Sequence, residues 1–319
     1  MKRISKILLG LALLLTGTLV AALIAYRVPD QPVAALLAKW AQPPSQFVGV
    51  RGMQVHVRDE GPRDDRVPIL LLHGTGASLH TWDGWTGILA REHRVIRFDL
   101  PGFGLTGPSP DGVYTIESYV DTVLAVADAL GVQRFVLAGN SLGGYIAWAT
   151  AALHPERVAR LILVDAAGYP YESQSVPLGF RLARMPVLSV ILRDLLPRKI
   201  VESSVRDVYG DPSKVTPQLV DRYFELNTRA GNRQALVARL DQTRPGSLAE
   251  RVHDIRMPTL ILWGARDHLI PLESGQRFAR EIDGSRLVVF DGLGHVPHEE
   301  DPGRTIEPVL GFIDSGSPL

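Results

Sequence analysis

The feature that most restricts the fold is a repeated exchange between short, β-branched apolar runs and amphipathic stretches. Gln54 to Arg58, Ile69 to Leu72, Val95 to Phe98, Phe135 to Ala138, Leu161 to Val164, Thr259 to Trp263 and Leu287 to Phe290 read as strands. Between several of them lie helical segments such as Ile116 to Leu130 and Gly144 to Leu153. Strands that are apolar along their whole length belong in a sheet covered on both faces, and intervening helices make the crossovers that parallel strands need. The pattern therefore predicts an α/β fold: a mostly parallel, twisted sheet flanked by helices, with the folded part starting near Phe47.

The exchange stops between about Gly168 and Arg256, where no strand-like run occurs and Leu-, Val- and Arg-rich helical segments follow one another. This predicts an inserted helical cap at 168–256, splitting a core made of 47–167 and 257–319. Val176 to Ile200 sets Leu178, Phe180, Leu188 and Leu195 beside Arg181, Arg184, Arg193 and Arg198. Such a segment can pack on its own domain with its arginines snorkelling, line an acyl pocket, or meet anionic lipid.

Two further constraints come from composition. With 34 basic and 34 acidic residues in 319, the chain has no net field to attract a polyanion, so nucleic acid is not an expected partner. The absence of cysteine excludes disulfides, thiolate metal sites and a Cys nucleophile. At the N-terminus, Lys2, Arg3 and Lys6 precede an uncharged stretch from Ile7 to Ala25, about the length that crosses a bilayer. It predicts a membrane anchor at 1–27 that touches lipid through residues 7–25, followed by a Pro-rich linker at 28–46. The charge bias places the catalytic domain outside the cytoplasm, which is the periplasm in a bacterium. The alternative is a signal peptide and secretion, with the best small-residue site at Val20 to Ala22.

Chemistry concentrates at Gly139-Asn140-Ser141-Leu142-Gly143-Gly144, which follows a strand and opens a helix. Glycine two residues either side of a serine permits a sharp strand-to-helix turn that leaves the hydroxyl exposed, making Ser141 the candidate nucleophile. At the end of an earlier strand, His73-Gly74-Thr75-Gly76 can aim the Thr75 N–H at a developing oxyanion, paired with the N–H of Leu142. A serine needs a neutral imidazole to take its proton, and the imidazole needs a carboxylate to fix its tautomer. Asp267 and His295 each stand just beyond a late strand, in the order Ser, Asp, His. Asp165, after Val164, is the alternative triad acid; Asp99 is read as tying the Pro101-Gly102 turn, and His73 and His298 as structural.

His73-Gly74, the Phe98-to-Gly104 turn, the Ser141 elbow, the Gly-x-x-Asp ending at Asp267 and Gly294-His295 together resemble the α/β-hydrolase superfamily over about residues 47 to 315. The likeness is to its capped serine branch, which holds microbial esterases and monoacylglycerol-lipase-like hydrolases. Epoxide hydrolases and haloalkane dehalogenases resemble the chain in outline but carry Asp where Ser141 stands. The triad and the resemblance imply hydrolysis of a carboxylic ester through an acyl-enzyme on Ser141, with no metal or organic cofactor, and the apolar cap and the anchor point to a lipid-like or medium-chain ester. The resemblance leaves open carbon–carbon bond hydrolysis of ring-cleavage products, since Asn before the nucleophile is common there. Serine haloperoxidase-like activity and a non-catalytic binding module are further alternatives.

Overall fold

The computed structural model describes residues 10, 13, 14, 16–18, 21, 27–183, 196–243 and 246–314. Eight strands form one sheet: β1 (Ser45–Val50), β2 (Met53–Glu60), β3 (Ile69–Leu72), β4 (Val95–Phe98), β5 (Phe135–Asn140), β6 (Val158–Val164), β7 (Thr259–Gly264) and β8 (Arg286–Phe290). Their spatial order is β1-β2-β4-β3-β5-β6-β7-β8. The strand β2 is antiparallel to both neighbours, and every pairing from β4 to β8 is parallel.

The helices are α1 (Val33–Trp40), α2 (Asp83–Leu89), α3 (Ile116–Ala129), α4 (Leu142–Leu153), α5 (Leu178–Ala183), α6 (Arg198–Val208), α7 (Pro217–Asn227), α8 (Asn232–Gln242), α9 (Leu272–Glu281), α10 (Pro297–Glu300) and α11 (Pro302–Asp314). Side chains alternate across the sheet, as the two-residue strand period requires. Leu70, Leu72, Leu161 and Leu163 pack under α3, α4 and α9 with Val123, Ile146, Trp148 and Phe278. Ile69, Leu71, Ile162 and Val164 face the other way, onto Trp85 and Leu89 of α2 and Ile306 and Val309 of α11. The core is thus two apolar layers on either side of a sheet that has no solvent-facing side at its centre.

Between β6 and β7 the described residues form helices and turns without a strand. Helices α6 and α7 share a small core of their own, with Val201, Val205, Val215 and Val220 buried around Tyr209. Helix α7 starts at a Thr216 cap that accepts the Leu219 N–H, with Pro217 in the first turn where its missing donor costs nothing. Much of the expected Val176 to Ile200 helix, residues 184–195, lies outside the described residues.

Three readings of the sequence need correction. Strand β1 was not foreseen: Ser45-Gln46-Phe47-Val48-Gly49-Val50 is an edge strand with only Val50 buried, so it lacks the apolar run of its neighbours. The membrane anchor and the extracytoplasmic placement, periplasmic or secreted, are not upheld. No helix among the described residues is long and apolar enough to cross a membrane, and most of residues 7–25 lie outside them. The stretch expected to be a linker at the membrane surface instead docks on the helical insertion. Arg233 of α8 binds Asp30 and the Val28 carbonyl, the Gln31 N–H donates to the Thr228 carbonyl (2.7 Å), and Trp40 Nε1 donates to Glu225 (2.7 Å). Basic flanks and an apolar run signal hydrophobicity, not where a segment docks.

Candidate functional site

Ser141 sits between β5 and α4 with φ +54° and ψ −116°, a conformation that costs a non-glycine residue energy and that surrounding contacts must hold. Its N–H donates to the Val164 carbonyl (3.1 Å), and its own carbonyl accepts from Tyr145 and Ala167 (both 3.0 Å). Close approach explains the flanking glycines. A Cβ at Gly139 would come within 2.1 Å of the Gly143 carbonyl oxygen, and one at Gly143 within 2.3 Å of the Leu72 carbonyl oxygen. The turn holds Ser141 at the N-terminus of α4, where the first backbone N–H groups have no helical acceptor.

The loop after β3 lies against this elbow, so that a Cβ at Gly74 would stand 3.1 Å from Ser141 Cβ. His73 holds the loop: its ring is 2.8 Å from the Gly74 carbonyl through Nδ1, and its Nε2 accepts the Leu100 N–H at 2.9 Å. Complete burial pushes the His73 pKa down, which keeps the ring neutral and able to accept. Among the described residues neither the Thr75 nor the Leu142 N–H meets a protein acceptor, and both residues line the same cavity as Ser141. From the insertion, Asn227 donates to the Gly76 carbonyl at 2.7 Å and ties α7 to this loop.

His295 follows β8 and is buried. Its Nδ1 lies 2.7 Å from Asp267 Oδ2, and Asp267 Oδ1 accepts the N–H groups of Leu269 (2.8 Å) and Ile270 (2.9 Å). The carboxylate is thus fixed by three donors, and the Nδ1–H tautomer leaves Nε2 to accept a proton. Ser141 and His295 face one cavity of about 560 Å³. One backbone bond and two from side chains set the histidine loop: the His295 N–H donates to the Val208 carbonyl of α6 (2.8 Å), Asn140 Nδ2 donates to the His295 carbonyl (2.9 Å), and Gly294 N–H donates to Glu300 (2.9 Å).

The alternative acid is also brought here. Asp165 is completely buried with φ +44°, its Oδ1 accepts the Gly264 N–H at 2.9 Å, and no bond joins it to His295. An oxygen of Asp165, an oxygen of Asp267 and a nitrogen of His295 lie within 4.8 Å of one another. These are ligand types for a cation, but Asp267 and His295 are already spent on each other. Burial and the adjacent Asp267 charge push the Asp165 carboxyl well above the usual carboxylate range. Above the unfolded pKa of about 3.9 folding then takes up a proton here, so the stability this group gives is full below that pKa and is lost as pH rises through the raised folded one. Asp165→Asn, which never ionises, is therefore expected to raise Tm at pH 8 and to give a shrinking gain toward pH 4. Melting curves across that range check it.

Asp99 is buried and ties the turn after β4, as expected. Its Oδ1 accepts the Leu79 N–H (2.7 Å) and its Oδ2 the Leu105 N–H (2.8 Å), with His56 Nδ1 also at 2.8 Å. His298 is buried against Trp82, with ring centroids 4.0 Å apart, and contacts Thr81. Sequence reasoning gave no role to Asn140 or Glu300. Glu300 accepts N–H groups of Gly210, Asp211 and Gly294, and an acid in a Pro-His-Glu-Glu turn carries no signal of three backbone partners.

A profile of the alpha/beta hydrolase fold matches residues 67–302, well over half of the chain. The 2-hydroxy-6-oxo-2,4-heptadienoate hydrolase of Pseudomonas putida is 32% identical over 275 residues, which are 82% of this chain and 93% of that one. Among solved structures, a meta-cleavage product hydrolase from Pseudomonas fluorescens has TM-score 0.72 and 26% identity, covering 84% of this chain and 96% of that one. A bacterial membrane phospholipase A has TM-score 0.71 and 30% identity, covering 98% of each chain. With its eight-stranded, mostly parallel sheet, its serine elbow and these matches, the chain belongs to the α/β-hydrolase family and is a hydrolase.

Proposed function

We propose that the protein hydrolyses carboxylic esters with an apolar acyl group through an acyl-enzyme on Ser141. The observation that carries this reading is the cavity in front of Ser141 and His295, walled by Val176, Phe180, Ile200, Leu236, Leu240 and Val296. Such walls favour a hydrocarbon chain by the free energy of removing it from water, roughly 0.8 kcal/mol per methylene. In the mechanism, His295 Nε2 takes the Ser141 hydroxyl proton as Oγ attacks the ester carbonyl, and Asp267 stabilises the imidazolium. The N–H groups of Thr75 and Leu142 bind the oxyanion, the alcohol leaves with the proton from His295, and water then repeats the sequence on the acyl-enzyme. The residues of the insertion, taken as a cap at 168–256, set the length of chain admitted.

A second reading, carbon–carbon hydrolysis of ring-cleavage products, has more of the named relatives behind it than ester hydrolysis does. Two further relatives, at 30% and 28% identity, are 2-hydroxymuconate semialdehyde hydrolases. The phospholipase A that matches almost end to end supports the ester reading instead. Both chemistries attack a carbonyl from the same serine, so the site serves either. A dienoate, however, carries a carboxylate that wants a cation. Two arginines stand on the cavity wall, Arg233 and Arg239; Arg233 is already paired with Asp30, and its remaining Nη1 is shut off from solvent. Rates on p-nitrophenyl esters from C2 to C12, beside 2-hydroxy-6-oxo-2,4-heptadienoate, decide between them. The ester reading expects kcat/KM to rise with chain length to a medium-chain optimum and to exceed that for the dienoate; a dienoate preference of tenfold or more replaces it with the second reading.

A further inference from the structure

We propose that Asp165 is a positioning residue that donates a hydrogen bond from its carboxyl O–H to Asp267, extending the Ser141–His295–Asp267 chain by one member. The inference rests on the triad reading above and concerns what holds its acid in place.

Asp165 follows β6 and Asp267 follows β7, neighbouring parallel strands whose last rungs, Val164 and Leu262, lie side by side. Both carboxyls are buried, and their oxygens come within 4.8 Å of each other. Two carboxylates this close and this dry cannot both be ionised, so one holds a proton. The donors decide which. Asp267 accepts from Leu269, Ile270 and His295, three partners that all favour its charged form. Among the described residues Asp165 accepts from Gly264 alone, through Oδ1. Its Oδ2 is buried and meets no N–H or hydroxyl donor among the described residues, a costly state for a charged oxygen and an ordinary one for an O–H with a carboxylate beside it. The other acid whose charge reaches Asp165 is Glu300 of α10, which opposes ionisation further.

The backbone supplies the second observation. Asp165 is one of three described non-glycine residues at positive φ, and Ser141 is another. The two strained positions are joined: Ser141 N–H donates to Val164, Ala167 N–H donates to Ser141, and Asp165 N–H donates to Leu262 at 3.0 Å. A glycine would adopt this conformation at less cost, so the strain is spent on setting a carboxyl against Asp267 from within the turn that braces the nucleophile. A fourth donor to Asp267 has two effects. It fixes the carboxylate's orientation toward His295, and it draws off charge that would otherwise hold the imidazolium too firmly.

The test compares Asp165→Asn and Asp165→Ala in the full chain. An asparagine keeps both bonds, its amide oxygen accepting from Gly264 and its N–H donating to Asp267. It is expected to retain kcat within about threefold and to leave the acid limb of the kcat/KM profile where it is. Alanine removes the donor, and the loss expected for such an outer partner is about 10-fold in kcat, with KM little changed. With the Asp267 charge no longer shared, the acid limb of the kcat/KM profile is expected to move upward. A purely structural role would lower the rate at all pH values without moving the limb. The proposal is overturned if Asp165→Ala behaves as wild type, or if Asp165→Asn is as inactive as Asp267→Asn, which would make Asp165 an ionised member of the triad. If Ser141→Ala keeps its activity, the triad reading itself has failed, an outcome separate from either.

Discussion

Ser141→Ala is expected to leave less than about one part in 10⁴ of kcat/KM while Tm changes by no more than about 2 °C. The size follows from the role: without the hydroxyl no covalent step is possible, and only the oxyanion donors and substrate binding still lower the barrier. A 10⁴-fold loss corresponds to about 5.5 kcal/mol of transition-state stabilisation. Stability is spared because the hydroxyl closes no hydrogen bond across the helix start: Ser141 makes no side-chain cap on α4, and its backbone bonds to Val164, Tyr145 and Ala167 need no side chain. Alanine also keeps a Cβ, so the positive-φ strain at this position is unchanged. Steady-state rates on the best p-nitrophenyl ester, with thermal melts alongside, give both numbers.

Asp267→Asn is expected to lower kcat by about 10⁴-fold with the fold intact. Asp267 offers two oxygens to three donors, one oxygen to Leu269 and Ile270 and the other to His295. An amide has only one oxygen. If it faces the two backbone N–H groups, its NH₂ confronts His295 Nδ1 and forces the ring proton onto Nε2, where it blocks proton transfer from Ser141. If it faces His295, the NH₂ meets two backbone donors, and the loop after β7 must shift. Either way the base is lost or displaced. Retention of activity within tenfold would show that Asp267 is not the acid that orients His295, and would return Asp165 to that position.

Much of this architecture was legible in the sequence because central strands are apolar on both faces. The bounds of β3 and β4 match the runs Ile69 to Leu72 and Val95 to Phe98, and the other central strands extend theirs by one to three residues. The edge strand β1 escaped because half of an edge need not be apolar. Ser141, Asp267 and His295 were readable from turn chemistry at strand ends, and the structure brings all three, with Thr75 and Leu142, to one region. What the sequence could not carry were contacts between distant segments. Asn140 reaching the His295 carbonyl spans 155 residues, and Arg233 meeting Asp30 spans 203. Hydrophobic periodicity says nothing about such pairs. The same limit explains why the stretch 28–46, read as a linker, proved to be docked on α7 and α8 through Val28, Asp30, Gln31 and Trp40.

The serine-hydrolase account is tested most directly by mass spectrometry of the protein quenched during turnover of a medium-chain p-nitrophenyl ester. It predicts one acyl adduct per chain, mapped to Ser141 in the peptide that contains Gly139 to Gly143, absent in Ser141→Ala and accumulating in a burst. Full turnover with no adduct at Ser141, or an adduct mapped to a different residue, would contradict it.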